Sequence, residues 1–262
     1  MTIITLTTDF GLRDGFVGIM KGVIYGIAPR AKIVDISHSI TPQNIQEGAF
    51  TLWRAAPFFP ADTIHIFVVD PGVGTQRRPL AARLGDHYFV GPDNGMLTPL
   101  IEDAERNQKT IEFVHLNNPK YWLRKVSHTF HGRDIFAPVG AHLANGVLLG
   151  ALGPRVIDPV RIELPRPEKK ENGWIAHITG IDVFGNLTTD LPASALQGRT
   201  DVLVRLRGAE VAGITESYAH KQPGDLIALL DSEDYLEIAL VNGSAAQKLG
   251  ANVGDALEVI YR

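Results

Sequence analysis

One stretch of the sequence, TIHIFVVDPGVGTQRR at residues 63–78, joins an apolar run to side chains that can do acid–base chemistry. The run is β-branched and aromatic, which predicts a buried strand, and it ends at Asp70. A turn rich in proline and glycine follows, and then Arg77 and Arg78. Open α/β sheets bind ligands at the carboxyl ends of their strands, so these residues predict a ligand or catalytic site. The simpler alternative is a strand, a turn and a surface ion pair.

Other groups of polar residues also stand at predicted strand ends or in loops. They lie at residues 9–14, 93–94, 131–134, 182–186 and 231–232. Because the strands of an α/β sheet end at a shared edge, we expect several of the groups in the first half of the chain to meet there.

The histidine and cysteine pattern disfavours metal-dependent chemistry. The chain has nine histidines and no cysteine, and no histidine pair shares a helix face with a carboxylate in the zinc-binding pattern. His131 differs from the other eight because it stands in a loop that opens a predicted helix. We therefore predict no metal site, and we treat His131 as a candidate for proton transfer.

Strands that alternate with helices predict an α/β sheet in the first part of the chain. Strands are predicted at residues 3–8, 32–36, 64–69, 87–90 and 110–116, and helices at 14–27, 44–56 and 134–149. This sheet is expected to be mostly parallel or mixed.

The pattern changes after residue 153. Four prolines and a charged run predict a linker, and short β-rich runs separated by turn residues follow from residue 173. Only residues 245–250 are predicted to be helical there. We predict an α/β catalytic domain over residues 1–155, a linker over 156–171 and a smaller all-β, barrel-like domain over 172–262.

Charge and hydropathy exclude several classes of function. Lysine and arginine total 25 against 29 aspartates and glutamates, a net charge of -4, which argues against nucleic acid as a partner. The apolar runs are too short to span a bilayer, and the N-terminus lacks the pattern of a signal peptide. The sequence predicts a soluble, cytoplasmic protein with a small-molecule substrate and no membrane partner.

Taken together, five motifs resemble the S-adenosylmethionine hydroxide adenosyltransferase family, which forms adenosine and is related to the fluorinases and chlorinases. The resemblance covers nearly the whole chain. Each motif is weak alone, but five in order are specific. They are TTDFG at 7–11, VDPGVGT at 69–75, GPDNG at 91–95, FHGRD at 130–134 and DVFGN at 182–186.

The resemblance implies a catalytic trio of aspartate, arginine and histidine, which falls on Asp70, Arg77 and His131. Arg78 is the competing choice for the arginine, although the spacing from the aspartate favours Arg77. The resemblance also implies a homotrimer, with active sites between the N-terminal domain of one subunit and the C-terminal domain of the next. No cofactor is expected, since S-adenosyl-L-methionine is the substrate.

The implied reaction is in-line attack of water or hydroxide on the ribose 5′ carbon, which releases methionine as a neutral thioether. Such a leaving group needs no general acid, so the site must above all supply an activated oxygen. The halogenating relatives have tyrosine at the position of Asp70 and lack the histidine at that of His131. These two residues therefore argue for water and against halide as the nucleophile.

The family pattern also implies substrate-binding residues. Asp9 matches the ligand of the two ribose hydroxyls, and Asn94 is a further predicted substrate-binding residue. Asp14 and Asp182 match positions that hold the methionine ammonium group, although a helix-terminal charge and a turn residue are the simpler alternatives. The other implied residues are Phe184 and Asn186 for the adenine and Ser232 for the methionine carboxylate.

The sequence departs from the family pattern at one position, and three alternative functions are open. In fluorinases an arginine follows the serine that matches Ser232, whereas this chain has Glu233, so the contact to the methionine carboxylate is open. The first alternative function is a halide-using homologue. The second is a non-catalytic S-adenosylmethionine or adenosine sensor, and a metal-dependent hydrolase is a distant third.

Overall fold

A computed structural model describes residues 2–262, and it divides into two compact units between Glu163 and Leu164. This division falls inside the range 156–171 that the sequence predicts as a linker. A short strand, Glu168–Lys170, lies in the same range and pairs with the strand that follows it.

The first unit is built on a six-stranded mixed sheet. Its strands are β1 (Ile3–Thr8), β2 (Lys32–Ser37), β3 (Ile64–Val68), β4 (Pro79–Leu84), β5 (His87–Pro92) and β6 (Ile111–His115). They lie in the order β2-β1-β3-β5-β4-β6. β1, β2, β3 and β5 are parallel to one another, whereas β4 is antiparallel to both of its neighbours. The predicted α/β class is confirmed, and β4 is a strand that the sequence analysis did not predict.

Four helices cover the two faces of this sheet. They are α1 (Phe16–Ile27), α2 (Ile45–Ala55), α3 (Thr98–Arg106) and α4 (Ala137–Ala144). One apolar core contains α1 and α4, and a second contains α2 and α3. All five residues of β3 are buried because the sheet is covered on both sides. β3 therefore lies at the centre of the unit, where its carboxyl end is held rigidly.

The helix predicted over residues 134–149 is wrong in its bounds. A π-helical segment, Gly132–Phe136, precedes α4, and a 3₁₀ turn, Leu149–Leu152, follows later. Pro138 has no N–H to donate to the carbonyl of Asp134, and Leu123 N bonds that carbonyl at 2.9 Å instead. The FHGRD motif therefore enters the π-helical segment that precedes α4, and it does not lie in a loop before a straight helix.

The second unit is almost entirely antiparallel sheet. Its strands are β7 (Glu168–Lys170), β8 (Gly173–Ile181), β9 (Leu187–Pro192), β10 (Val202–Leu206), β11 (Ala209–Ala212), β12 (Leu226–Leu230), β13 (Tyr235–Leu240) and β14 (Ala256–Tyr261). The order is β11-β10-β14-β8-β9-β13-β12, with β7 beside β8. A bridge between Ile214 and Ala228 links the two ends, so the predicted barrel-like architecture is confirmed.

Two short helices interrupt this unit. The helix predicted near residues 245–250 is α6 (Ala245–Leu249), which Ser244 caps by accepting a hydrogen bond from Gln247 N. The expectation of one helix is wrong, because α5 (Ala193–Leu196) forms a single turn after β9. No helix within residues 2–262 is long and apolar enough to cross a membrane.

Candidate active site

Asp70 follows β3 at the edge of the sheet where the parallel strands end. Arg77 holds its carboxylate by two bonds: Nε donates to Oδ1 at 3.0 Å, and Nη2 donates to Oδ2. Only 4% of the Asp70 side chain and 7% of the Arg77 side chain are exposed. The pair is therefore buried and bidentate, and it is not the surface ion pair that was the simpler alternative.

Arg77 also contacts His131, which belongs to a different loop. Its Nη2 lies 3.1 Å from Nδ1 of His131, and its guanidinium lies over the ring of Phe136. Because arginine can only donate, Nδ1 must be the acceptor, and the proton of the neutral imidazole is on Nε2. The structure thus brings together the three residues that were predicted to be catalytic.

A close approach of two backbone segments makes this contact possible. Gly74 has a φ of +77°, and a Cβ at this position would lie 2.3 Å from the carbonyl oxygen of His128. Only glycine fits both the conformation and the space. The glycine-rich turn therefore presses the loop that carries Arg77 against the loop that carries His131.

Arg78, the competing arginine, lies in another network. Its Nε donates to Asp93 at 2.8 Å and its Nη1 donates to Asp158 at 2.8 Å. The hydrogen bond to Asp158, together with the charge of Asp93, raises the pKa of Arg78. Arg78 ties the end of β5 to the segment around Asp158, whereas Arg77 is the residue that contacts Asp70.

The environment of His131 keeps its imidazole neutral. Burial lowers the pKa of His131 below 6.5, and the positive charge of Arg77 lowers it further, although Asp70 acts in the opposite direction. Nη1 of Arg77 is buried and has no hydrogen-bond partner within the described residues. The site thus combines a neutral base, a buried carboxylate and an N–H group that can donate to an oxygen nucleophile.

Asp134 is a residue that the sequence analysis placed in a motif without giving it a role. Its fully buried carboxylate accepts bonds from the backbone N and the hydroxyl of Ser127, at 2.7 and 2.6 Å, and from Nε of Arg133 at 2.6 Å. Although burial acts to raise the pKa of Asp134, these hydrogen bonds lower it overall. The carboxylate therefore clamps the loop on both sides of His131.

Three predicted binding residues lie near the same sheet edge or before α1. Asp9 follows β1, and its Oδ2 accepts a bond from Gln43 N at 2.8 Å. Asn94 follows β5 and donates to the carbonyl of Val69 at 2.7 Å, so it supports the strand end that carries Asp70. Asp14 is exposed and stands two residues before α1 begins.

In the second unit, Asp182, Phe184 and Asn186 share the turn between β8 and β9. The Asp182 carboxylate accepts bonds from the backbone N of both other residues, at 2.9 and 2.8 Å, and from the Asn186 side-chain amide at 2.9 Å. Asp182 therefore has the turn-holding role that was its simpler alternative. Phe184 is 73% exposed, so this residue is available to contact another molecule.

Ser232 does not lie beside that turn. It is exposed in the β12–β13 turn, and Tyr235, which follows it, pairs with Pro192 at the far end of β9. Two polar residues that belong to none of the motifs, Tyr218 and Glu237, lie near Asn186, whose amide donates to the Tyr218 hydroxyl at 3.4 Å. Tyr218 donates to Glu237 at 2.5 Å, and burial together with this bond raises the pKa of Tyr218.

No group of three or more histidine, aspartate or glutamate side chains among residues 2–262 could hold a metal ion. Arg77, Asp70 and His131 instead form a compact, partly buried site with opposite charges in direct contact. Such a site can bind water, orient it and accept its proton.

Comparisons with known proteins agree over nearly the full length of the chain. The family model for the SAM hydroxide adenosyltransferase N-terminal domain matches residues 4–153, and the model for the C-terminal domain of the same family matches 176–258. An (R)-S-adenosyl-L-methionine hydrolase of Salinispora tropica is 38% identical over 98% of this chain and 97% of its own length. A fluorinase of Actinoplanes sp. is 30% identical over 90% of each chain.

A solved structure has the same fold. The crystal structure of an uncharacterized conserved protein from Thermotoga maritima has a TM-score of 0.91 and 36% sequence identity. The match covers 98% of this chain and 99% of that one.

Asp134→Ala is expected to destabilise the first unit by about 3 kcal/mol, because it leaves the two half-buried donors of Ser127 and the guanidinium of Arg133 without their acceptor. Denaturant unfolding of the full chain measures this free energy. Glu105→Ala is the matched control, since it breaks the exposed pair with Arg161 and should cost less than about 1 kcal/mol. Equal losses for the two variants would contradict a clamping role for Asp134.

Proposed function

This chain belongs to the SAM hydroxide adenosyltransferase family, and from that premise we propose that it hydrolyses S-adenosyl-L-methionine to adenosine and L-methionine. The observation that carries the proposal is the buried contact of Arg77 with both Asp70 and His131. The chain is an enzyme in this proposal, an S-adenosyl-L-methionine hydrolase.

The chemistry requires an oxygen nucleophile more than an acid. Water attacks the ribose 5′ carbon in line with the sulfonium, the new C–O bond forms as the C–S bond breaks, and the electron pair of that bond returns to sulfur. Methionine departs as a neutral thioether, so no proton has to be supplied to it. The one proton to be removed is that of the attacking water.

The three residues divide this task. The Nη1 N–H of Arg77, buried without a partner among the described residues, donates to the oxygen nucleophile and favours its negative charge. His131 Nδ1 is the unprotonated nitrogen of the ring, and its single lone pair accepts from Arg77, so the proton of the water passes to Nδ1 as this hydrogen bond breaks. Asp70 holds the guanidinium in place and favours the imidazolium that forms.

A carboxylate in this position also argues against halide as the nucleophile. Asp70 lies almost fully buried at the site, where its negative charge acts through little solvent. A halide would have to lose its hydration shell beside this charge, whereas water can donate a hydrogen bond to it. We therefore prefer hydrolysis over halogenation, although fluorinases are among the relatives.

We assign substrate binding to residues of both units. Asp9 suits the ribose hydroxyls, since a carboxylate can accept from both at once, and its loop lies at the same sheet edge as Asp70. Asn94 supports the strand end that carries Asp70 and Asp182 supports its own turn, so their proposed contribution is to shape the site. The remaining proposed binding residues are Asp14, Phe184, Asn186 and Ser232.

We further propose a cytoplasmic homotrimer that needs no cofactor, with each active site shared between neighbouring subunits. The resemblance on which the sequence analysis rests implies this assembly, and the 73% exposure of Phe184, which a neighbouring subunit or its substrate would cover, supports it. Light scattering on the purified protein should give a mass three times that of the 28.6 kDa chain. A monomer mass for an active enzyme would contradict the shared site.

Incubation with S-adenosyl-L-methionine in ¹⁸O-labelled water should yield adenosine that carries the label at its 5′ oxygen, together with an equal amount of methionine. Mass spectrometry of the separated nucleosides measures this. Added chloride or fluoride and added EDTA should leave the yield unchanged. A 5′-halogenated nucleoside would support the halogenase. Binding without turnover would support the sensor, and loss of activity in EDTA would support the metal-dependent hydrolase.

His131→Ala is expected to lower kcat by about 10²–10⁴-fold, the usual contribution of a positioned base. Because the pKa of His131 lies below 6.5, the wild-type kcat/KM should stay constant above that pH and fall as pH drops through the lowered pKa. The variant should lose this acid limb. His128→Ala, an exposed histidine of the same loop, is the control and should keep both rate and profile.

A further inference from the structure

A buried histidine outside the site described above contacts the strand end that carries Asp9. His38 follows β2 and is 5% exposed, and its Nδ1 lies 2.8 Å from the hydroxyl oxygen of Thr8 at the end of β1. Thr8 has no exposed surface. Thr8 directly precedes Asp9, so this contact acts at the base of the loop that presents the Asp9 carboxylate.

The neighbours of Thr8 and His38 determine which of the two side chains donates the hydrogen bond between them. The Thr8 hydroxyl oxygen accepts from Phe10 N at 3.2 Å, so its proton is free to be donated to Nδ1 of His38. Nε2 of His38 lies 3.1 Å from Asp35 Oδ1, close enough for an ion-pair contact but without the geometry of a hydrogen bond. Lys21 donates to the other oxygen of Asp35 at 2.6 Å. Although burial opposes it, these partners lower the pKa of Asp35, which keeps the carboxylate charged.

The segment that begins at His38 also holds the Asp9 loop through its backbone. The carbonyl of His38 accepts from Gly11 N at 2.7 Å, and Gln43 N donates to Asp9 Oδ2 at 2.8 Å. The loop is thus fixed before and after Asp9, and the carboxylate itself is fixed by a third bond. The Thr8–His38 contact is the one part of this support that is made by side chains alone.

We propose that His38 is a positioning residue for substrate binding: through the Thr8 hydroxyl it sets the orientation of Asp9 toward the ribose hydroxyls. The inference rests on the proposed function for the identity of that ligand. Because Asp70, Arg77 and His131 lie on other loops, loss of His38 should weaken the binding of the nucleoside while leaving the chemical step intact.

Substitution of His38 by asparagine and by glutamine tests the two ring nitrogens of the imidazole separately. In His38→Asn the amide oxygen takes about the place of Nδ1 and can still accept from Thr8, whereas in His38→Gln the amide takes about the place of Nε2 and faces Asp35. We expect the KM for S-adenosyl-L-methionine and the Kd for adenosine to rise about tenfold in His38→Gln and in Thr8→Val, the effect of one lost hydrogen bond. In His38→Asn they should rise less than about threefold, and kcat should change less than about threefold in all three.

The same strand provides a matched control. Thr5 of β1 makes an equivalent contact, 2.8 Å from its hydroxyl oxygen to Nδ1 of His65, and both residues are fully buried. Neither residue adjoins the Asp9 loop. Thr5→Val and His65→Gln therefore test for general destabilisation, and they should lower the melting temperature without raising KM or the adenosine Kd.

Steady-state kinetics and adenosine calorimetry on the full chain decide the matter. A wild-type KM and Kd in His38→Gln and Thr8→Val would overturn the proposal, and so would equal increases in the two control variants. If the wild type releases no adenosine, the proposed function fails. The adenosine calorimetry then still tests His38, because a wild-type Kd in His38→Gln overturns the proposal and a selective increase there supports it.

Discussion

The Arg77 guanidinium lies between a carboxylate and an imidazole that belong to two separate loops. A buried positive charge is tolerated only where an opposite charge and further acceptors surround it. Arg77 and Asp70 therefore each compensate the buried charge of the other. The rigid end of β3, the missing side chain at Gly74 and the Asp134 clamp all keep these groups in contact. The contact therefore explains why a strand end, a glycine turn and a π-helical segment meet at this edge.

Those parts that depend on local pattern could be predicted from the sequence. The apolar run before Asp70 is a strand because both faces of the sheet are covered, and its polar end lies where α/β sheets place their sites. The spacing of Arg77 from Asp70 singled it out over Arg78. Its contact with His131 followed from a resemblance and not from spacing, since 54 positions separate the two residues.

Features that depend on distant partners could not be predicted. His38 looked like an ordinary core histidine because its partner Thr8 is 30 positions away. Asp134 looked like a helical residue because its hydrogen bonds to the loop at Ser127 leave no periodic pattern in the sequence. For Asp182 the sequence indicated either a ligand contact or a turn-holding role, and its oxygens accept three bonds from its own turn. A carboxylate can accept about four, so the contact with the methionine ammonium group stays a prediction.

The close approach at Gly74 has a consequence for motion. With no room between this residue and the His128 carbonyl, the two loops cannot slide past each other, and closely packed segments transmit displacement rather than absorb it. The close approach therefore couples the position of the guanidinium to that of the imidazole, and a side chain at residue 74 would push the two groups apart.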